Sequence, residues 1–167
     1  MLLRIWASIL VAVSLLALAN AGTTFDRILY EVTFPGSWID VSKPSLDLES
    51  FKSADGQHGF TTSFFKPSRP LTPQELQTTL SKLAEARVIA ARRAYGNDVV
   101  FAAPEFSTRG DLIHVRLWGE APGVSRIAAL MIGDPQTIRA FTITTKNLDE
   151  AEFRAMATTI FNSIKLK

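Results

Sequence analysis

Apolar residues beyond position 21 recur in two rhythms, and the rhythm changes along the chain. Residues 28–34, Ile-Leu-Tyr-Glu-Val-Thr-Phe, are β-branched and aromatic, and Pro35-Gly36 follows, which predicts a strand and a turn leading to Trp38. Residues 46–52 alternate Leu46, Leu48 and Ser50 against Asp47, Glu49 and Phe51 and predict a second strand. Asp55-Gly56-Gln57-His58-Gly59 supplies turn residues, so residues 60–65 return as the third strand, in a hairpin with a longish loop.

The period then lengthens. Thr72-Pro73-Gln74-Glu75 predicts a helix start, with a hydroxyl N-cap, proline at the first helical position and a glutamate placed to close a capping box. Leu76, Leu80, Leu83, Val88 and Ala91 keep one stripe, while Lys82, Glu85, Arg87, Arg92 and Arg93 mostly populate the other faces. Gly96-Asn97-Asp98 stops the helix after Tyr95. Segments 99–103 (broken by Pro104), 112–119, 125–132 and 138–145 follow, separated by polar breaks at 108–111, 121–123 and 133–135, and read as an antiparallel meander. Asn147 as N-cap, with Glu150 three residues on, opens a last helix with a buried stripe of Phe153, Met156, Ala157, Ile160, Phe161 and Ile164. Strands and helices do not alternate as a parallel fold requires. The expectation is an α+β fold, an antiparallel sheet of about six or seven strands flanked by helices.

The start of the chain has a different pattern. Arg4, an apolar run over residues 5–18 and the small-residue end Ala19-Asn20-Ala21 form the three parts of a secretory signal. The run is shorter than the roughly 20 residues a spanning helix needs. Residues 1–21 are therefore expected to be a cleaved signal peptide, with residues 22–167 a single domain exported to a periplasm or the medium without a stable membrane anchor. No cysteine follows the run, which excludes lipid attachment through one, and the chain has none anywhere, which removes disulfides, thiol nucleophiles and cysteinyl metal sites. Past the signal 17 basic residues face 16 acidic ones, so the balance gives no argument for a nucleic-acid partner.

The segment Tyr30-Glu31-Val32-Thr33-Phe34-Pro35-Gly36-Ser37-Trp38 resembles the opening of the PsbP-like and DcrB-like domains, and the order hairpin, long helix, meander and final helix with Ile160-Phe161-Asn162-Ser163-Ile164 is similar to theirs over most of residues 25–166. The resemblance implies a PsbP-like sandwich and a family acting mostly in binding or assembly, some members being extracytoplasmic and some chaperones for secreted toxins. It brings no shared catalytic motif, so no residue inherits a role from it.

Two histidines, 56 positions apart and without metal-ligand spacing, give no metal site, and nothing calls for a cofactor. His58 reads as a solvated turn residue. His114, Arg116 and Trp118 share one strand face with Leu112, opposite the buried face of Ile113, Val115 and Leu117, and such a row can bind an anion or an aromatic ligand or merely be a half-covered sheet face. No Gly-x-Ser-x-Gly elbow is present, no carboxylate pair stands out for glycosidase chemistry, and no glycine-rich loop leads into a helix. Arg109-Gly110-Asp111 sits where a hairpin turn is needed, and Arg87, Arg92 and Arg93 suit the negative end of a helix dipole. Phe64 and Phe65 are consecutive, so they point to opposite faces, and one of them is a candidate partner surface. The sequence thus favours an exported, non-enzymatic protein that docks a protein partner, for instance as an immunity or accessory protein for a secreted toxin or envelope component. The alternative is a small envelope enzyme or small-ligand carrier using His114, Arg116 and Trp118.

Overall fold

A computed structural model describes residues 22–43 and 48–167. The expected signal peptide and residues 46–47 of the second expected strand lie outside the described residues. The fold is α+β with antiparallel sheets, as expected. The strands are β1 (Thr23–Asp26), β2 (Tyr30–Phe34), β3 (Trp38–Asp40), β4 (Leu48–Ser53), β5 (His58–Phe65), β6 (Val100–Phe101), β7 (Glu105–Arg109), β8 (Leu112–Ala121), β9 (Ser125–Gly133), β10 (Ile138–Thr145) and β11 (Lys165–Leu166), and the helices are α1 (Pro73–Tyr95) and α2 (Glu150–Ser163). The chain divides into two compact units: Ile39–Ala157, and the described residues up to Trp38 with Thr158–Lys167.

In the larger unit the sheet runs β3-β4-β5-β10-β9-β8, with β6 and β7 both along the outer edge of β8. β8, β9 and β10 are long and rich in β-branched and apolar residues, and β9 is buried at nearly every position because both its faces are covered. On one face α1 lays Leu76, Leu80 and Ala84 against Val115, Leu117, Ala129, Met131, Ile138 and Ala140. Complete burial of a leucine such as Leu80, which has no exposed surface, contributes about 1.5–3 kcal/mol. Gly133 permits that approach, since a Cβ there would meet Leu76 Cδ1 at 2.8 Å. The start of α1 is as its sequence predicts: Thr72 Oγ1 accepts from Glu75 N, and the Glu75 carboxylate accepts from Thr72 N at 2.9 Å.

In the smaller unit β1 and β11 flank β2. The Pro-Gly-x-Trp turn has a physical basis. Gly36 takes φ of 70°, which folds Trp38 back so that its ring stacks on Phe34 at 4.3 Å and its indole Nε1 donates to Pro35 O. Thr23 Oγ1 closes the turn, donating to Gly36 O and accepting from Trp38 N. Ser163 Oγ accepts from Thr33 N and donates to Thr33 O, and Lys165 pairs with Glu31 at 2.6 Å.

Several boundaries differ from the sequence reading. The first expected strand begins at Tyr30 because Ile28 and Leu29 form a bend, and Ile28 is exposed. His58 is the first residue of β5, with Nδ1 2.7 Å from Thr145 Oγ1, so it is a half-buried strand residue and not a solvated turn residue. Asn147 does not cap α2: Asp149 Oδ1 accepts from Glu152 N, while Asn147 Nδ2 donates to Gln57 Oε1. Four short or polar strands, β1, β3, β7 and β11, were not anticipated.

Candidate functional site

His114, Arg116 and Trp118 do share a face of β8, but the strand sets them in file. Same-face neighbours are about 6.6 Å apart along a strand, so the three side chains do not converge on one point. Each has a different neighbourhood. Trp118 is nearly buried, in edge contact with Phe153 and with the Arg154 guanidinium 4.8 Å above its ring. It lines a cavity of about 150 Å³ with Glu120, Arg126, Glu150, Phe153 and Arg154, which does not reach His114 or Arg116. The charges there are paired, Arg126 with Glu120 and Arg154 with Glu150.

His114 stands opposite Ser107 of β7 and Ile132 of β9. Its Nε2 is buried and has no hydrogen-bond partner among the described residues. Burial pushes the imidazole below its usual range, and the cations Arg109 and Arg116 push the same way. A histidine that serves as a general base is ordinarily oriented and supported by an acid, as in a Ser-His-Asp constellation. Here its electrostatic neighbours carry the opposite charge, and no hydrogen bond joins it to Ser107.

Phe64 and Phe65 take opposite faces at the end of β5, Phe64 opposite Arg139 and Phe65 opposite Ile138. Phe64 is half-buried, whereas Phe65 is 48% exposed. A second exposed apolar surface lies on the sheet edge. All five residues of β7 are exposed, Phe106 among them, Val100 of neighbouring β6 is exposed too, and β7 has β8 as its one strand neighbour among the described residues. Sequence reasoning missed β7 because Glu-Phe-Ser-Thr-Arg shows no buried alternation, although its β-branched and aromatic residues before a Gly-Asp turn were the available signal.

The other missed residue is Arg87. It does not point outward from a basic helix end; it turns toward the sheet, donating from Nη1 to Thr142 Oγ1 at 3.2 Å and from Nη2 to Ser63 Oγ at 2.6 Å. It borders a cavity of about 290 Å³ under the second half of α1, on the face of the sheet opposite to His114, with Ala91, Ala94, Tyr95, Phe101 and Thr144 among the lining residues. The periodicity contained the signal: positions 80, 84, 87, 91 and 94 follow one another at helical spacing. A third cavity, of about 260 Å³, holds His58, Tyr95, Lys146 and Thr145. Among the described residues no three His, Asp or Glu side chains cluster as metal ligands, and no helix is long and apolar enough to cross a membrane.

No family model and no curated protein matches the chain. Solved structures do. The solution structure of cyanobacterial PsbP from Synechocystis aligns over 89% of this chain and 94% of its own, with a TM-score of 0.70 at 13% identity. A Bacteroides thetaiotaomicron protein aligns over 83% of this chain and 45% of its own, with a TM-score of 0.51 at 12% identity. The Saccharomyces cerevisiae Ran-binding protein Mog1p aligns over 88% and 96%, with a TM-score of 0.50 at 7% identity. At such identities the likeness concerns the backbone, and the fold of this chain is PsbP-like.

Proposed function

We propose that this chain is an exported, non-enzymatic binding protein that docks a protein partner, in the role of an immunity or accessory protein for a secreted toxin or envelope component. The observation that carries the docking reading is β7, an edge strand exposed along its whole length and bearing Phe106 at 43% exposure. Such an edge accepts an extended segment of another protein by main-chain pairing, with Phe106 as the apolar anchor. Glu105 and Arg109 at its ends restrict which segments fit, because a like charge placed opposite either one repels. Mog1p, which shares the fold, is a Ran-binding protein, and that supports a protein-binding use of such a sheet. The cationic surroundings of His114 support the non-enzymatic part. Export rests on Arg4, the apolar run and Ala19-Asn20-Ala21.

The test is site-specific photo-crosslinking of the purified protein in extract of its own organism. A reactive residue at Phe106 is expected to capture one discrete protein, and the same residue at exposed Ile89 of α1 none. Phe106→Glu should weaken the complex by about tenfold or more, the scale of losing one buried aromatic anchor. Equal capture from both positions, or a substrate turnover that His114→Ala abolishes, would overturn the proposal.

A further inference from the structure

The cavity under α1 joins two features. The first is an underfilled apolar space. Beyond Ala84, α1 borders the space with half-buried Ala91 and, at its open rim, exposed Ala90 and Ala94, and the sheet beneath offers Gly59, Thr61, Ala129, Thr142 and Thr144, so neither layer fills the gap. Phe51, Phe60, Tyr95, Phe101 and Ile127 complete the walls. The second is a cation without a counter-ion among the described residues. Arg87 has five N–H donors, and the two bonds it makes go to neutral hydroxyls. Among the described residues no Asp or Glu lines the cavity, and desolvation is the cause that pushes the guanidinium downward. A partly buried charge in this setting is costly unless paired.

We propose that this cavity binds a small amphipathic carboxylate, its apolar body between Ala91 and Phe101 and its carboxylate paired with Arg87. A carboxylate is the matching head group because it is a planar monoanion that the guanidinium fork can hold with two parallel hydrogen bonds. The size sets the body. At about 30 Å³ for each water-sized group, the space of about 290 Å³ takes roughly ten non-hydrogen atoms. That suits an eight-carbon acid and excludes a full-length lipid chain. The site lies on the sheet face opposite to the His114 row and does not include the β7 edge, so it stands or falls independently of the docking proposal.

Titration calorimetry of the purified protein with octanoate, octanol and acetate tests it. Octanoate is expected to bind one to one, and octanol, which lacks the charge, at least about tenfold more weakly, the scale of one charge-assisted hydrogen bond. Acetate, six carbons shorter, should bind at least about a thousandfold more weakly, the scale of its missing methylenes. Arg87→Gln should remove the preference for octanoate over octanol, and Ala91→Leu, which keeps Arg87 and fills the space, should weaken both. Thermal melts establish that each variant is folded, and the Ala91→Leu comparison stands alone should Arg87→Gln fail to fold. Octanol binding as tightly as octanoate, no binding of octanoate, or octanoate binding unchanged by Ala91→Leu would overturn the assignment.

Discussion

The two halves of α1 lie over one face of one sheet and continue one helical stripe, yet the first is packed along its length, whereas the second leaves a cavity beside it. In that second half Ala91 does pack, against the small cluster of Val99, Ala121 and Ile127. Leu76 and Leu80 are 2% and 0% exposed against β8, β9 and β10. Two and three turns beyond Leu80, the same stripe carries Arg87 and Ala91, and a cavity opens beneath them. The register is shared, so the difference lies in the side chains it carries, leucines in the first half and a charged Arg87 with small alanines in the second. A helical period determines which face turns inward; whether the space under that face is filled depends on the sizes of the residues on both layers. The packed half holds the helix in place, and the other half is free to take a ligand.

The largest expected effect is in the packed half. Leu80→Ala should cost about 2–5 kcal/mol in urea unfolding, because the well-packed surroundings of Leu80 cannot collapse into the hole. Next comes Gly133→Ala, whose new methyl would press on Leu76 Cδ1 at 2.8 Å and Leu80 Cδ1 at 3.2 Å and should cost about 1–3 kcal/mol through overpacking. Coupling should be visible in a double-mutant cycle, since Leu76→Val makes room for the methyl and should recover part of that loss. If Gly133→Ala is neutral, the first half has slack of its own and the contrast fails.

How far this was legible follows the same division between period and volume. The capping box, the ends of α1 and the extent of β10 could be read because each rests on local chemistry: a hydroxyl and a carboxylate three residues apart, a terminating glycine, an apolar run between Gly-Asp-Pro and Asn. β1, β7 and β11 could not, because their pairing partners, not their own apolar pattern, make them strands. Thr23–Asp26 is held by register with β2, and Lys165–Leu166 by register with residues more than 130 positions earlier. The row His114, Arg116, Trp118 was read correctly as one strand face, but sequence alone could not show that helix residues Phe153 and Arg154 pack on Trp118. Arg87 was assigned to a solvated face from its charge, although its position in the stripe pointed inward. Charge is a weaker guide than period when hydroxyls wait on the facing strands.

A smaller effect of opposite sign sharpens the comparison. Ala91→Leu adds apolar atoms over unfilled space, and each buried methylene contributes about 0.8 kcal/mol before the loss of side-chain freedom. A net gain of about 1 kcal/mol in unfolding free energy is expected, against the loss that overpacking causes at Gly133. Destabilisation by Ala91→Leu would mean the second half is already packed, and the ligand proposal would fall with it.

The smallest effect concerns the start of the packed half and appears only in acid. Glu75, at the surface with its side chain partly covered, accepts from Arg69, from Thr72 N and from Thr72 Oγ1, which together hold its carboxyl down to about 2 from an ordinary 4.5. A carboxyl depressed on folding stabilises fully above its unfolded value, so this contribution should be intact above about pH 4.5 and should disappear as the pH falls toward 2. Glu75→Gln should flatten that part of the pH dependence of the urea midpoint while changing little at neutral pH, because glutamine can also close a capping box. The contrast between the halves predicts where the acid-sensitive structure lies. The protection of the Glu75 and Leu76 amides, measured against their intrinsic exchange rates at each pH, should fall below about pH 4, whereas Leu80, held by its contacts with the sheet, should keep its protection. If Leu80 loses protection together with the first turn, the cap rather than the packing anchors that half, and both halves of α1 would be equally loose on the sheet.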